Sequence, residues 1–191
     1  MQSTDASRIE LKKAKLAIDG MLGAASMEIY EECWKEYLRR IERAWNKTSN
    51  HYGKSPKWDS WQGRIVKKRR EDSLLVYLVN ARGADEHSVS EIVARQPGGI
   101  GINPAFGTEI RNLRIQSANG VFDIQSDTPL KIDFLPGKVS LLPVTNRGRT
   151  YPVPTSHLGK VIDSSNVVDV ATLGLCFYED VLSQAEAYSV K

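Results

Sequence analysis

Between Ile29 and Trp45 the apolar residues Ile29, Tyr30, Cys33, Trp34, Tyr37, Leu38, Ile41, Ala44 and Trp45 recur at intervals of three and four. That spacing places them on one side of an α-helix and excludes a half-buried strand, whose apolar residues would alternate. The helix is expected to start near Ser26 and to run to about Asn46. So long a helix with so wide an apolar side has to be covered by other elements. The chain therefore needs a packed helical core.

The flanking segments supply it. Residues 4–22 carry Ile9, Leu11, Leu16, Ile18 and Leu22 at helical spacing, with Thr4 or Asp5 as cap and Gly20 and Gly23 at the end. Lys47 to Ser55 reads as a polar connection. Pro56 suits the first turn of a third helix over 56–70, with Trp58, Trp61, Ile65 and Val66 on one side. Asp72 or Ser73 opens a fourth helix. Leu74 to Val79 is apolar all round, which predicts a central, buried position. Gly83 is a candidate terminator, and Ser88-Val89-Ser90-Glu91 has the form of a capping box for a short helix to about Arg95.

Beyond Pro97 the pattern changes. Gly98-Gly99-Ile100-Gly101 has no strand before it and no helix after it, so it reads as a linker and not as a phosphate cradle. Glu109–Gln116 and Gly120–Gln125 flank an Asn119-Gly120 turn, a strong hairpin signal. Leu130–Phe134 and Val139–Val144 suggest a second hairpin around Pro136-Gly137. Residues 145–160 read as a loop, and Asn166 caps a last apolar helix over 167–188. The expected class is α+β. It has an N-terminal antiparallel helical bundle over 1–97 and a small antiparallel β-sheet insertion with a Pro-rich loop over 98–163. A C-terminal helix over 164–191 packs back on the bundle.

Apolar residues make up 41% and charged residues 26% of the chain, values of an ordinary globular protein. No stretch approaches the roughly 20 apolar residues of a membrane helix, and Met1 to Glu10 lacks the apolar core of a signal peptide. Cys33 and Cys176 form no Cys-x-x-Cys pair and read as two thiols in apolar helical patterns. These features predict a cytoplasmic protein without membrane association. The chain has no Walker A loop, no Gly-x-Ser-x-Gly elbow and no metal-type His/Cys spacing, so no cofactor or metal is expected.

Charge is uneven. Residues 1–70 hold 16 Lys/Arg and 9 Asp/Glu, a net of +7, and residues 71–191 hold 10 and 14, a net of −4. Arg64, Lys67, Lys68, Arg69 and Arg70 concentrate the positive charge at the end of the third helix, beside Trp58 and Trp61. Basic residues with aromatic neighbours suit RNA, the cations meeting phosphates and the rings stacking on bases. Favourable placement in the helix dipole and core packing of the rings explain the same residues without a ligand.

Three histidines are candidates for proton transfer: His51, His87 and His157. His51 lies in the polar connection. His87 follows Arg82 by five positions, beyond the buried helix. If Gly83 breaks that helix, Arg82 can hold a phosphate while His87 moves the proton of a ribose 2′-hydroxyl or a leaving 5′-oxygen. If it does not, Arg82 pairs with Glu86 at i, i+4. Arg82-Gly83-Ala84-Asp85-Glu86-His87 resembles the Arg-x4-6-His motif of the HEPN superfamily, although that family usually has a polar residue where Gly83 stands. The resemblance covers roughly residues 4–95. It implies a homodimer with a composite, metal-independent ribonuclease site, Arg82 and His87 being the catalytic pair. Leu74–Leu78 leading into Ala81-Arg82 and Asp85-Glu86-His87, with Pro154-Thr155-Ser156-His157-Leu158-Gly159, also resembles bacterial and prophage-type proteins that lend no activity. His157 sits in a proline-stiffened loop that, with Arg147 and Arg149, can line a pocket or clamp the last helix. The leading expectation is an RNA-binding protein that cleaves RNA through Arg82 and His87. The alternative is a non-catalytic helical interaction module of a mobile-element or defence system, with an antitoxin or other protein partner.

Overall fold

The structure, a computed structural model, describes residues 5–53, 58–87, 91–118 and 121–189. These residues form an α+β protein with five helices and small two-stranded sheets. The chain divides into two compact units. Met1–Arg95 and Val139–Lys191 make a helical unit, and Gln96–Lys138 makes a β unit. The segment 139–163, assigned from sequence to the insertion, belongs with the helices.

In the helical unit, α1 (Asp5–Leu22) and α2 (Met27–Tyr52) form an antiparallel hairpin. Thr48 hydrogen-bonds Ser7 at one end, Arg40 and Lys47 hold Glu10 in the middle, and Gly20 meets Cys33 at the other. A Cβ at Gly20 would stand 2.7 Å from Cys33 Sγ, so a larger residue there would displace the Cys33 thiol. Ser26 caps α2, its hydroxyl accepting the Ile29 N–H at 3.3 Å. The helix does not stop near Asn46. It continues to Tyr52 because Thr48 and Tyr52 extend the buried side, Thr48 donating its hydroxyl to the Ala44 carbonyl at 2.9 Å. His51 is therefore helical.

The third helix, α3, spans Trp58–Glu71; Pro56, expected to begin it, lies outside the described residues. Helix α4 (Ser73–His87) is capped by Asp72, whose carboxylate accepts the Leu75 N–H at 3.0 Å. Leu74, Leu75, Tyr77, Leu78 and Ala81 are all buried, as an element apolar all round requires. Helix α5 (Val167–Ser189) begins at Asn166, which accepts the Val168 N–H at 3.0 Å, and packs on α1, α2 and α4. No described helix is long and apolar enough to cross a membrane.

The capping-box signal at Ser88 lies outside the described residues, and the helix expected through Arg95 is absent. Val93–Gln96 is a strand, β1, paired with β6 (Lys138–Leu141). Ile92, Val93, Val139 and Leu141 enter the core together, and the Leu142 N–H donates to the Ile92 carbonyl at 3.1 Å. Long-range burial of β-branched residues outweighs the local signal. The presumed loop 145–160 contains two tight hairpins, β7 (Val144–Asn146) with β8 (Arg149–Tyr151) and β9 (Ser156–His157) with β10 (Lys160–Val161). Arg147-Gly148 and Leu158-Gly159 each have positive φ at both positions, as two-residue hairpin turns demand.

In the β unit, β3 (Arg114–Ala118) pairs antiparallel with β4 (Val121–Gln125), the hairpin expected from sequence; Asn119 and Gly120 themselves lie outside the described residues. The second expected hairpin does not form. β5 (Leu130–Leu135) pairs instead with β2 (Gly99–Pro104), so the glycine-rich run is a strand and not a linker. Ile100 faces Phe134 and Ile102 faces Ile132, a match of apolar alternation that a turn at Pro136 would have sacrificed.

Candidate functional site

Helix α4 runs without interruption through Gly83 to His87. Gly83 answers a tertiary demand: a Cβ there would collide with the Asn146 side chain of β7, which donates to Asn80 Oδ1 at 3.0 Å. Arg82 Nη2 pairs with Glu86 Oε2 at 2.6 Å, while Arg82 Nε is buried without a hydrogen-bond partner. His87 ends the helix, and its side chain lies outside the described residues. Five residues along one helix separate two positions by about 140° around the axis. Positions 82 and 87 thus leave α4 on different sides.

The rest of the run is also engaged. Asn80 donates to the Val76 carbonyl at 2.8 Å. Asp85 lies 3.6 Å from Lys35 and 3.3 Å from Arg39, tying α4 to α2. Lys35 also holds Glu31 at 2.7 Å, and Glu31 receives Arg95 from β1. Burial alone would raise the Glu31 carboxyl, but hydrogen bonds from Lys35 and Arg95 outweigh it and hold it below the usual range. Glu10 is buried too, and Lys47 and Arg40 overcome its desolvation in the same way. Sequence reasoning did not single out these carboxylates, because their partners come from other elements.

The basic stretch of α3 divides in two. Trp58 and Trp61 are 3% and 4% exposed, packed on each other with centroids 4.9 Å apart, and Trp58 stacks on Tyr52. Neither presents a ring face on which a base can stack. Arg69 points inward: its guanidinium lies over Trp45 at 4.6 Å, Nε donates to the Tyr178 hydroxyl at 3.0 Å, and it pairs with Glu42. Burial pushes the Tyr178 phenol up to about 12. By contrast, Arg64, Lys67, Lys68 and Arg70 are exposed; Lys67 and Arg70 lie opposite Trp58, Trp61 and Ile65 around the helix, and Lys68, seven residues after Trp61, emerges beside those rings. Among the described residues none of these four forms an ion pair. The helix holds two acids, Asp59 in its first turn and Glu71 at its end.

The His157 loop clamps the fold. His157 is buried, its Nδ1 lies 2.9 Å from Asp72 Oδ1, and its ring meets Phe177 edge-on at 6.0 Å. Asp72 Oδ2 accepts the Leu158 N–H at 2.6 Å. Burial would raise the Asp72 carboxyl; the bonds from His157, Leu158 and Leu75 outweigh it and hold it below the usual range. One carboxylate thus caps α4 and anchors the β9–β10 hairpin. Arg147 supplies a turn residue at φ 51°, and Arg149 lies over the Tyr151 ring at 5.4 Å. Arg147 and Arg149 are exposed, whereas His157 is buried.

Among the described residues no group of three or more His, Cys, Asp or Glu side chains is placed to hold a metal ion. No family model, no curated protein and no solved structure matches the chain.

Proposed function

We propose that the protein binds RNA through the outer side of α3 and does not cleave it. The observation that carries this reading is the set of four exposed cations, Arg64, Lys67, Lys68 and Arg70, with no acidic partner among the described residues. Most other charged side chains considered as site residues are engaged: Arg82 with Glu86, Arg69 with Glu42 and Tyr178, His157 with Asp72. Uncommitted cations on a rigid helix release counterions when they meet a phosphate backbone. The ligand class, RNA, rests on the HEPN resemblance of the Arg82–His87 run. Cleavage is left out because an Arg82 paired along its own unbroken helix is not aimed at a phosphate beside His87.

The reading makes a quantitative statement about salt. About four phosphate contacts on a single strand give a slope near −2.8 in log–log form, about a 50-fold loss of affinity from 50 to 200 mM salt. Titration of labelled single-stranded RNA with wild type and with Lys67→Ala/Lys68→Ala checks it. The double variant is expected to lower the slope by about 1.4. An unchanged slope rejects α3 as the interface. Incubation of mixed RNA with wild type and His87→Ala in EDTA tests the cleavage reading separately. Degradation by wild type alone would restore the catalytic pair.

A second reading, a protein-interaction module, is favoured by a different observation: Phe106, Phe122 and Phe134 of the β unit are exposed.

A further inference from the structure

The β unit carries no buried residue among those described. Phe106, Phe122 and Phe134 are 80%, 56% and 78% exposed, and Ile115, Val121, Ile132 and Leu135 are exposed as well. The largest apolar patch on a typical monomer is about 300–600 Å², and a phenylalanine alone contributes roughly 150–250 Å² when covered. A two-stranded ribbon is marginal in water; three or more strands with an apolar face are needed for independent stability.

The register of the β2–β5 ribbon separates its two faces cleanly. Ile100 opposite Phe134, Ile102 opposite Ile132 and Pro104 opposite Leu130 make one face wholly apolar. Gly101 opposite Asp133 and Asn103 opposite Lys131 lie on the other, together with Leu135 opposite Gly99 at its end, and there Lys131 Nζ stands 3.2 Å from Asp133 Oδ1. Among the described residues β5 pairs only with β2, which leaves its second edge without a strand partner. β2 contains two glycines and ends in Pro104, residues that blunt an edge; β5 has six residues with a full set of N–H donors and neither Gly nor Pro. An exposed, apolar edge of that kind pairs with another strand.

We infer that β5 pairs antiparallel with β5 of a second copy of this chain, about a two-fold axis through Ile132, giving a four-stranded β2–β5–β5–β2 sheet. The strand is complementary to itself in this register alone. Centring on Ile132 sets Lys131 of each copy against Asp133 of the other on the polar face. It sets Leu130 against Phe134, and Ile132 against itself, on the apolar face. Centring on Asp133 or on Lys131 opposes like charges. A half-residue shift of the centre opposes apolar with polar side chains and turns the faces over. Charge does not oppose the association: residues 96–138 hold Arg111, Arg114, Lys131 and Lys138 against Glu109, Asp123, Asp127 and Asp133, a net of zero. That neutrality also argues against a polyanionic partner for this unit. A closed two-fold pairing consumes the second edge of each β5 and leads to a dimer instead of a fibre.

The test uses the full chain and sedimentation equilibrium. Wild type is expected at twice its 21.3 kDa mass. Asp133→Lys, which sets lysine against lysine twice, should weaken the dimer about tenfold or more. Lys131→Asp/Asp133→Lys, which exchanges the charges, should restore it. In a Cys33→Ser/Cys176→Ser background, Ile132→Cys should cross-link to its own copy on mild oxidation, and Phe134→Cys should not. A wild-type monomer overturns the inference, including one in which the β unit is covered by its own helical unit or by another protein. So does a dimer indifferent to Asp133→Lys, or a single charge reversal that the double exchange fails to rescue.

Discussion

The helical unit and the β unit have comparable apolar alphabets and opposite fates. In the helical unit Trp34, Tyr37, Leu38, Leu74, Leu75 and Tyr77 are wholly buried, and the carboxylates that enter the core arrive with partners, as Glu10 does with Arg40 and Lys47, whereas Trp34 Nε1 and the Tyr37 hydroxyl have none among the described residues. In the β unit, where Ile and Phe alternate as regularly as the helices repeat, no described residue is buried. The difference is one of dimension. A helix closes its own backbone hydrogen bonds and needs only side-chain cover, which four other helices provide. A two-stranded ribbon leaves backbone on both edges and an apolar face open, so it is half of a structure.

The contrast can be broken most directly by truncation. Leu78→Ala in α4 is expected to cost about 2–5 kcal/mol, the transfer loss plus the cavity. Phe134→Ala, measured in dilute protein, should stay within about 0.5 kcal/mol, since little is lost from a side chain already in water. Urea denaturation followed by far-ultraviolet circular dichroism compares them. Equal losses would mean that Phe134 is covered in solution and that the two units are alike.

A second effect, intermediate in size, tests how the helical unit uses polar groups. Asp72→Asn should destabilise it by about 1–3 kcal/mol at neutral pH, because a buried carboxylate joins α4 to the His157 hairpin. The Asp72 carboxyl is held below its ordinary value in the folded state, so its contribution is present above the unfolded value of about 3.9 and is lost as pH falls through the acid range. Thermal melts from pH 6 to pH 2 should therefore fall less steeply for Asp72→Asn than for wild type. Parallel curves would remove Asp72 as the linkage.

The smallest effect is expected at Arg82. Its pair with Glu86 is an i, i+4 contact on a partly exposed helix side, worth about 0.3–0.5 kcal/mol. Arg82→Ala should barely move the melt and, if α3 is the RNA surface, should leave RNA affinity unchanged. A large drop in affinity would return Arg82 to the centre of the site.

Much of the fold was legible along the chain because local physics produces it. The helical periodicity of Ile29–Trp45, the helix start near Ser26, the caps at Asp72 and Asn166, and the Asn119-Gly120 sequence signal are short-range features. α1, α2, α4, α5 and the β3–β4 hairpin follow from them. The site was legible in residue type but not in availability. The basic cluster of α3 is visible in the sequence; that Arg69 turns inward to Glu42 and Tyr178 while Lys67 and Lys68 stay exposed is not.

What the chain alone determined is where backbone hydrogen bonds close locally and which side of each element is apolar, since both depend on neighbours within a few positions. Tertiary structure alone decided that Val93 becomes a strand, that β5 chooses β2 over the segment beyond Pro136, and that Asp72 meets His157. It also decided the meaning of Gly83. In sequence a glycine before His87 looks like the end of a helix, yet the helix passes through it, because the missing Cβ makes room for Asn146 arriving from a segment about 60 residues away. Packing between distant segments is invisible to periodicity, and it is packing that separates Arg82 from His87 on one unbroken helix.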